Sequence, residues 1–242
     1  MTYILTKNFH NDKFPGWKPN FSFEDIEKNP LDATFPYVEL DFKWDVSEIE
    51  KELTSKDTQE LFIPVQTGKR AMKRKWYERE DEYGWFEIRI IGPAPSLTDW
   101  QTETLEKPRE FICRSDALQK TQKFFHDKGL FFTRLVAVKL LPGGYCYPHT
   151  DARPRADAQP EKNLECFWIP INHCQDNCKT YPYGYMPHRV GSMFLLNNKQ
   201  YWHSVMNKDT YPRYVLTGRI DSLKSNFDIN FVKDSIKKQW YS

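Results

Sequence analysis

The sequence predicts a mainly β protein with flanking helices, in which residues 131–221 form a double-stranded β-helix, a cupin-like jelly roll. From about residue 131 the chain consists of apolar, β-branched and aromatic runs separated by short polar segments, which is the pattern of antiparallel strands. The 242 residues include 17 Phe, 13 Tyr, 8 Trp and 16 Pro but 10 Gly, which favours short strands with rigid corners over disorder. In such a roll, two facing sheets close around a pocket whose open mouth can hold a metal or ligand.

The N-terminal part is expected to contribute an arm and flanking strands. Residues 1 to about 36 are polar, aromatic and interrupted by Pro, without a sustained period, so they predict an extended arm lying on the body. Two β-branched and aromatic runs, at 62–65 and 85–91, predict strands.

Two helices are predicted by their start and stop signals. Asp45 followed by Glu48 is typical of an N-cap and its partner, opening a short helix through Leu53. Ser115 is expected to cap a second helix, which ends at Gly129.

The predicted core strands follow without a repeat, a low-complexity segment or a convincing linker between them. Gly191 is expected to turn the chain into one of them. The four runs that predict these strands are residues 131–141, 164–171, 190–196 and 213–220. We therefore expect a single domain over residues 1–242, made of N-terminal arm, helices and flanking strands (1–130), β-helix core (131–221) and C-terminal extension (222–242).

Charge and composition exclude several classes of protein. The net charge is 35 − 33 = +2, so no global field favours nucleic acid or an anionic membrane. The N-terminus lacks the apolar region of a signal peptide, and no apolar run is long enough to span a membrane. Five cysteines, an odd number, fit a reducing compartment better than a disulfide scaffold, which predicts a cytoplasmic protein.

The strongest chemical signal is the segment Gly143–Asp151, GGYCYPHTD, together with His203 and Arg213 further along the chain. His149 and Asp151 flank one residue, so on an extended strand both side chains leave the same face. With His203 they give the two histidines and one carboxylate that non-haem Fe(II) oxygenases use, with coordination positions left open. Arg213 supplies a fixed cation of the kind that binds a dicarboxylate co-substrate.

The His-x-acid pattern by itself is weak evidence. With six histidines and 33 acidic residues in the chain, about one match arises by accident, and His149 could then be a surface loop histidine. A Pro-Gly-Gly turn ends an apolar run just before the pair, which places it near a strand end, where functional residues tend to lie.

Several pieces of the chain, found in order, resemble the aspartyl/asparaginyl β-hydroxylase-like family of 2-oxoglutarate-dependent oxygenases. The pieces are PHTD at Pro148–Asp151, CFWIPI at Cys166–Ile171, GSMFLLNN at Gly191–Asn198, HSVMN at His203–Asn207 and RYVL at Arg213–Leu216. The resemblance covers roughly residues 130 to 220, and the first 130 residues have no such likeness.

This resemblance implies an enzyme that hydroxylates a C–H bond with Fe(II), 2-oxoglutarate and O2. His149, Asp151 and His203 would be the catalytic metal ligands, and Arg213 would bind the distal carboxylate of 2-oxoglutarate. The substrate would be an amino acid, a peptide side chain or another small metabolite. Neither a membrane nor nucleic acid is an expected partner.

The middle strand departs from that family, because Cys166 and Trp168 stand where members often carry an Arg and a His that contact the co-substrate. The co-substrate is therefore expected to have fewer polar contacts on that side, unless Tyr147, Thr150 or Asn163 supplies them. The predicted cofactor-binding residues are Arg213, Trp168, Asn163 and Tyr147.

Two further sets of residues have both a functional and a structural interpretation. Asn198 and Asn207 are candidates for orienting the two histidines, or else are strand-end residues that bond locally to the backbone. Another set has the residue types of a zinc site, or consists of loop cysteines in an insertion between barrel strands that continues through residues 179–186. The members of this second set are Cys166, Cys174, Cys178 and His188.

The alternative function is a non-catalytic β-roll binding module. The basic stretch 69–77, with five cations beside aromatics, would then contact nucleic acid, although the acidic residues that follow favour a solvated, salt-bridged face. Arg153, Arg155 and Arg189 are candidates for a substrate carboxylate, with a surface cation as the favoured interpretation of each.

Overall fold

The structure is a computed structural model, and it describes residues 23–64, 84–91, 114–151, 164–174, 178–182, 184–221, 224–225 and 228–240. Several predictions therefore lie outside the described residues. They concern Asn163, the basic stretch 69–77, and the arginines 153 and 155.

Two antiparallel sheets form the body of the protein. The larger sheet has the order β1 (Tyr37–Lys43), β9 (Ser192–Leu196), β6 (Cys166–Pro170), β11 (Arg213–Ile220), β4 (Phe132–Leu140), β3 (Trp85–Ile91) and β2 (Ile63–Pro64). The smaller sheet has the order β5 (Tyr145–His149), β10 (His203–Met206), β7 (Lys179–Tyr181) and β8 (Gly184–Met186). From β4 to β11 the chain passes back and forth between the two sheets, as in a double-stranded β-helix. The predicted fold class is confirmed.

The helices are short and lie around this roll. Their bounds are α1 Phe23–Lys28, α2 Ser47–Thr54, α3 Lys56–Gln59, α4 Gln119–Asp127 and α5 Ile229–Trp240, with a 3-10 turn at Pro30–Asp32. None of the helices in the described part of the chain has the length and apolar character needed to cross a membrane.

The extended arm predicted for residues 1–36 is wrong over its described part. Residues from Phe23 onward form α1 and the following 3-10 turn. Ile26 and Leu31 are buried there at 0% and 2% exposure, so packing on the body stabilises turns that are too short to show a period in the sequence.

Both predicted helices are present, but neither has the predicted N-cap. Asp45 accepts a hydrogen bond from the Ser47 N–H at 3.0 Å, yet the N-cap position of α2 is occupied by Val46, which has no side-chain cap. The capping role predicted for Ser115 is wrong, because α4 begins at Gln119 and its first N–H groups bond elsewhere. The Glu52 carboxylate of α2 accepts the N–H groups of residues 120 and 121 at 2.9 and 2.8 Å. Because this capping residue comes from a distant helix, the sequence next to α4 contains no signal for it.

Glycines stop one helix and start one strand, as predicted. Gly129 follows α4 with φ +65°, a left-handed conformation that favours Gly. Gly191 has φ +79°, and a Cβ there would lie 2.1 Å from the Trp44 carbonyl oxygen. The Trp44 N–H also donates to the Gly191 carbonyl at 2.9 Å. This close approach holds the start of β9 against the segment before α2.

The stretch 179–186, interpreted as an insertion between barrel strands, is instead β7 and β8 of the smaller sheet. Each strand has three residues, which is too short for an alternating pattern to be recognised. The consequence is that its side chains line the roll, because β7 lies next to β10.

Helix α5 covers the outer edge of the larger sheet. Two N–H groups of the edge strand β1 donate to the Gln239 and Ser235 side chains at 2.7 and 3.0 Å. The Trp240 indole N–H donates to the Tyr37 carbonyl at 3.2 Å. The C-terminal segment thus closes an edge that would otherwise be free to pair with another chain.

Candidate metal centre and anion site

The two site histidines lie opposite each other on neighbouring strands of the smaller sheet. His149 ends β5 and His203 begins β10, and the antiparallel register pairs them directly, with ring centres 4.3 Å apart. Asp151 follows β5, and its N–H donates to the Asn198 carbonyl after β9 at 2.9 Å. The order of strands therefore brings His203 close to Asp151 and His149, which precede it by 52 and 54 positions in the sequence.

The three side chains have the spacing of a metal site. Asp151 Oδ1 lies 3.4 Å from His149 Nε2 and 3.9 Å from His203 Nε2, and all the ligand atoms lie within 4.8 Å of one another. With metal–ligand bonds of about 2.1 Å, a small closing movement brings all three onto one ion. The described geometry thus forms a group that can hold a metal such as iron.

Backbone carbonyls orient both imidazoles in the same way. His149 Nδ1 lies 2.8 Å from the Tyr147 carbonyl and His203 Nδ1 lies 3.2 Å from the Tyr201 carbonyl, each two residues earlier in the chain. In His203, an Nδ1–H donated to the carbonyl leaves Nε2 unprotonated and directed at Asp151, as a metal ligand requires. In His149 the same contact orients the ring, and the Nε2 proton that it shares with Asp151 would leave when a metal binds. The Tyr-x-His spacing occurs at both positions and is a signal that sequence reasoning did not use.

The two asparagines considered for this orienting task have different contacts. Asn198 donates to Asp151 Oδ2 at 3.0 Å, so it orients the carboxylate instead of a histidine. Asn207 donates to the Leu140 and Tyr211 carbonyls at 2.9 and 2.8 Å. For Asn207 the structural interpretation, a residue that bonds locally to the backbone, is the one that agrees with the contacts.

Electrostatics places the proton of the triad on one histidine. Burial is the largest influence on His149 and opposes its charge, but the hydrogen bonds to Asp151, Cys146 and the Tyr147 carbonyl together outweigh it and raise the pKa of His149 to about 10. Burial and then repulsion by Lys179 lower the pKa of His203 to about 3. Burial is also the largest influence on Asp151 and favours its neutral form, but the hydrogen bond from His149 and the nearby positive charges together keep the pKa of that carboxyl below its ordinary value. A carboxylate and a neutral imidazole are thus already in the form that a metal binds.

Arg213 is a buried cation whose hydrogen bonds are not satisfied by the described part of the protein. Its exposure is 0%, and none of its three guanidinium nitrogens has a hydrogen-bond partner among the described residues. The guanidinium carbon lies 5.4 Å from the centre of the Trp168 ring, and the Trp168 indole N–H is likewise buried without a partner in those residues. A buried charge without an acceptor is costly, so this donor set matches an anionic ligand.

Lys179 is a second buried cation beside this donor set, and sequence reasoning missed it. It is 1% exposed, and its Nζ lies 4.7 Å from the centre of the Trp168 ring. Burial lowers the pKa of Lys179 to about 8, although the nearby Asp151 charge opposes the change. A lysine in a three-residue strand looks like a solvated residue in the sequence, and only the closed roll buries it.

The inward face of β6 joins the two parts of the site. Cys166 and Trp168 are two positions apart, so their side chains leave the same face of the strand about 7 Å apart. Cys166 lies near Asp151, and burial followed by that negative charge raises the pKa of the thiol to about 12. Trp168 lies at Arg213. One face of β6 therefore has Cys166 near the metal triad and Trp168 at the buried guanidinium.

Of the remaining sequence candidates, Tyr147 lies beside the triad and Arg189 lies on the surface. The Tyr147 ring lies 6.2 Å from the His149 ring, and its carbonyl is the contact described above. Arg189 forms an ion pair with Glu39 at 2.6 Å on the surface, with 55% of its side chain exposed. The four residues considered for zinc separate into two places, because Cys174, Cys178 and His188 form a cluster of their own without Cys166.

No family model matches this sequence, and no curated protein matches it. Among solved structures, a prolyl-4-hydroxylase from Pseudomonas putida has 14% identity and a TM-score of 0.45, covering 82% of this chain and 95% of that chain. A viral collagen prolyl hydroxylase from Paramecium Bursaria Chlorella virus-1, in a 2OG complex, has 13% identity and a TM-score of 0.43, covering 77% and 96%. A 2OG-Fe(II) oxygenase family oxidoreductase from Burkholderia pseudomallei has 13% identity and a TM-score of 0.39, covering 82% and 89%. At this level the likeness concerns the course of the chain and carries nothing about activity.

Proposed function

We propose that the protein is an Fe(II)- and 2-oxoglutarate-dependent oxygenase that hydroxylates a C–H bond. The observation that carries this proposal is the presence, in one roll, of a triad of two histidines and an aspartate and of a fully buried, unsatisfied guanidinium at Arg213. A metal-free binding module does not require the metal-binding triad. Together the triad and the guanidinium match a metal with open coordination positions and a co-substrate that carries a distant carboxylate.

The ligand set favours iron over metals whose coordination positions are all filled by protein ligands. His149, Asp151 and His203 supply two imidazoles and one carboxylate, and this set leaves coordination positions open for small molecules. When bound, Fe(II) with 2-oxoglutarate and O2 supplies the oxidising chemistry, which yields succinate, CO2 and a hydroxylated substrate. The protein itself holds the ligands in place and excludes water.

The residues around the triad have separate tasks in this proposal. The carbonyls of Tyr147 and Tyr201 keep the two imidazoles in the tautomer that binds metal. Asn198 holds the carboxylate of Asp151 from the opposite oxygen. Because each ligand is held by a second contact, the triad is ordered before a metal arrives.

The co-substrate is bound at its far end by the buried cations. Arg213 forms a charge-assisted pair with the distal carboxylate of 2-oxoglutarate, and the indole N–H of Trp168 is available as a further donor. Lys179 adds a second positive charge, because its ammonium group, like the Arg213 guanidinium, lies over the Trp168 ring. Pairing a charge that is already buried makes this carboxylate a strong determinant of binding.

The finer assignment is also a proposal. The motifs at the proximal ligands, β9, β10 and β11 resemble the aspartyl/asparaginyl β-hydroxylase-like family, and they support an amino acid, a peptide side chain or another small metabolite as substrate. Asp151 retains the carboxylate that some members of that family lack. Cys166 and Trp168 replace their polar middle-strand residues, so the buried cations carry more of the co-substrate binding here.

The test is an anaerobic titration of the purified protein with Fe(II) and 2-oxoglutarate, followed by visible absorption. Chelation of iron by the 2-oxo acid should give a weak charge-transfer band that requires both components. The His203→Ala variant should not give this band. His126→Ala is the matched control, because its imidazole is on the surface of α4 with 76% of the side chain exposed. If the unsubstituted protein gives no band, the oxygenase proposal is wrong and the binding module is favoured.

A further inference from the structure

A second cluster of ligand-type side chains lies where β6, β7 and β8 end. Cys174 follows β6, Cys178 directly precedes β7 and His188 follows β8. Their sulfur and nitrogen atoms lie within 4.8 Å of one another, and Cys178 Sγ is 3.3 Å from His188 Nδ1. The cluster shares no residue with the triad at His149.

The histidine of this cluster is oriented as a metal ligand is. His188 Nε2 lies 2.8 Å from the Asn172 carbonyl, so Nε2 carries the proton and Nδ1 presents its lone pair to Cys178. Asn172 is itself fixed, since its side chain bonds to the Pro212 carbonyl and the Tyr214 N–H at 2.8 and 2.7 Å. The imidazole is thus held by a rigid part of the larger sheet.

Burial separates this cluster from a chance meeting of surface residues. Cys178 is 2% exposed and His188 is 7% exposed, while Cys174 is partly exposed. The Cys174 thiol also contacts the carboxylate of Asp209. All four cysteines in the described residues are free thiols, so both sulfurs of the cluster are available as ligands.

We propose that Cys174, Cys178 and His188 bind a Zn²⁺ ion that is distinct from the iron at the triad. Thiolate and imidazole are the ligands that structural zinc prefers, and bonds of about 2.3 Å to sulfur and 2.0 Å to nitrogen place neighbouring ligand atoms roughly 3.5 to 3.8 Å apart in a tetrahedron. The separations in the cluster fit that range after little movement. The fourth position is open to water or to the Asp209 carboxylate.

The zinc ion would join three segments that are separate in the sequence. It connects the residues after β6 to both ends of the β7–β8 hairpin, and this hairpin carries Lys179 into the roll. The hairpin adds only a short edge to the smaller sheet, so a metal that ties down both of its ends would stabilise it.

A consequence for the anion site rests on the proposed function, although the zinc site itself does not. Arg213 interacts electrostatically with the sulfurs of Cys174 and Cys178. Both sulfurs bind zinc as thiolates, and the two positive charges of the ion would balance them, so that neither thiolate competes with a co-substrate carboxylate for this guanidinium.

The test is elemental analysis of the full chain purified without chelators. We expect about one zinc per chain, retained in His203→Ala and lost in Cys178→Ser. Cys166→Ser is the matched control, because it removes a thiol of the same interior that lies outside the cluster, and it should keep its zinc. A protein that binds zinc but no iron would contradict only the oxygenase proposal. A protein that binds iron but no zinc would contradict only the zinc proposal.

Two measurements on the unsubstituted protein guard against a variant that fails to fold. Titration with a thiol-directed mercurial should release the zinc, and replacement by Co²⁺ should give thiolate-to-cobalt charge-transfer absorption that Cys166→Ser leaves unchanged. A protein without zinc, zinc that remains in Cys178→Ser, or a Cys174–Cys178 disulfide found by alkylation and mass spectrometry would overturn the proposal.

Discussion

The two clusters of ligand-type residues in this roll differ in chemistry and access, although both orient their histidines with backbone carbonyls. The triad combines imidazoles with a carboxylate, and 34% and 37% of the side chains of His149 and Asp151 are exposed. The second cluster combines thiols with an imidazole, and both Cys178 and His188 are under 10% exposed. An open set of nitrogen and oxygen ligands suits a metal that exchanges small molecules, whereas a buried thiol set suits one that stays in place.

The difference follows from where each cluster lies relative to the strands. The triad is at the ends of β5 and β10, where the side chains of His149 and Asp151 are partly exposed. The thiol cluster is at the ends of β6, β7 and β8, where Cys178 and His188 are buried and Cys174 is partly exposed. Both clusters orient their histidines with backbone carbonyls. The partly exposed triad supports a catalytic metal, whereas the more buried thiol cluster supports a structural one.

The largest expected effect is the loss of activity when one triad histidine is removed. His149→Ala and His203→Ala should abolish succinate formation, because each removes one of three metal ligands, while both variants keep their zinc. The measurement is succinate produced from 2-oxoglutarate, beside the metal content of each variant. His126→Ala should retain the activity of the unsubstituted protein. Normal succinate formation by His203→Ala would mean that the triad is not the catalytic one of the two clusters.

The next largest effect is expected at the anion site. Arg213→Ala removes a charge-assisted pair worth about 1.5–3 kcal/mol, so the KM for 2-oxoglutarate should rise roughly 10- to 150-fold. The kcat at saturating co-substrate should change much less, because the interaction is made before the chemical step. Steady-state kinetics with varied 2-oxoglutarate gives both values.

A surface arginine supplies the control for that experiment. Arg114→Ala breaks an exposed ion pair with Asp116 at 3.3 Å, and it should leave the KM unchanged. If Arg213→Ala also leaves it unchanged, the co-substrate carboxylate is bound elsewhere.

A smaller effect is expected from the residue that holds the metal carboxylate. Asn198→Ala removes the hydrogen bond to Asp151 Oδ2, and loss of such a partner weakens metal binding by about 10-fold or somewhat more. Competition with a chelator of known affinity measures the change in Fe(II) binding. Asn230→Ala, on the exposed start of α5, is the control and should bind iron normally. An unaltered Fe(II) affinity in Asn198→Ala would mean that Asp151 is held by the backbone alone.

Sequence reasoning was most successful where the information is local. The strands at Trp85–Ile91 and Arg213–Ile220 were predicted with the bounds that the structure has, because aromatic and β-branched runs of seven or eight residues leave little choice. The convergence of His149, Asp151 and His203 is also predicted by the sequence. The prediction rests on a strand end next to His149 and on several family-like motifs that occur in order. Their catalytic role stays a prediction.

The missed features depend on contacts between distant segments. Lys179 becomes a buried cation only when the hairpin closes onto Trp168, and Glu52 caps a helix that begins 67 positions later. The carbonyl partner of His188 comes from Asn172, and no motif in the sequence includes that residue. Burial and hydrogen bonding between such segments are set by the closed roll, so no local pattern reports them.

The smallest expected effect tests whether the thiol cluster communicates with the anion site at Arg213. Asn172 connects the two, since its carbonyl orients His188 and its side chain bonds to the residues on either side of Arg213. Asn172→Ala should therefore weaken zinc retention by about 10-fold and raise the KM for 2-oxoglutarate a few-fold, with Fe(II) affinity unchanged. Chelator competition and steady-state kinetics on the same preparation measure all three. A loss of Fe(II) affinity equal to the loss of zinc affinity would point to general loosening of the roll, and Asn172 would then not specifically link the thiol cluster to the anion site.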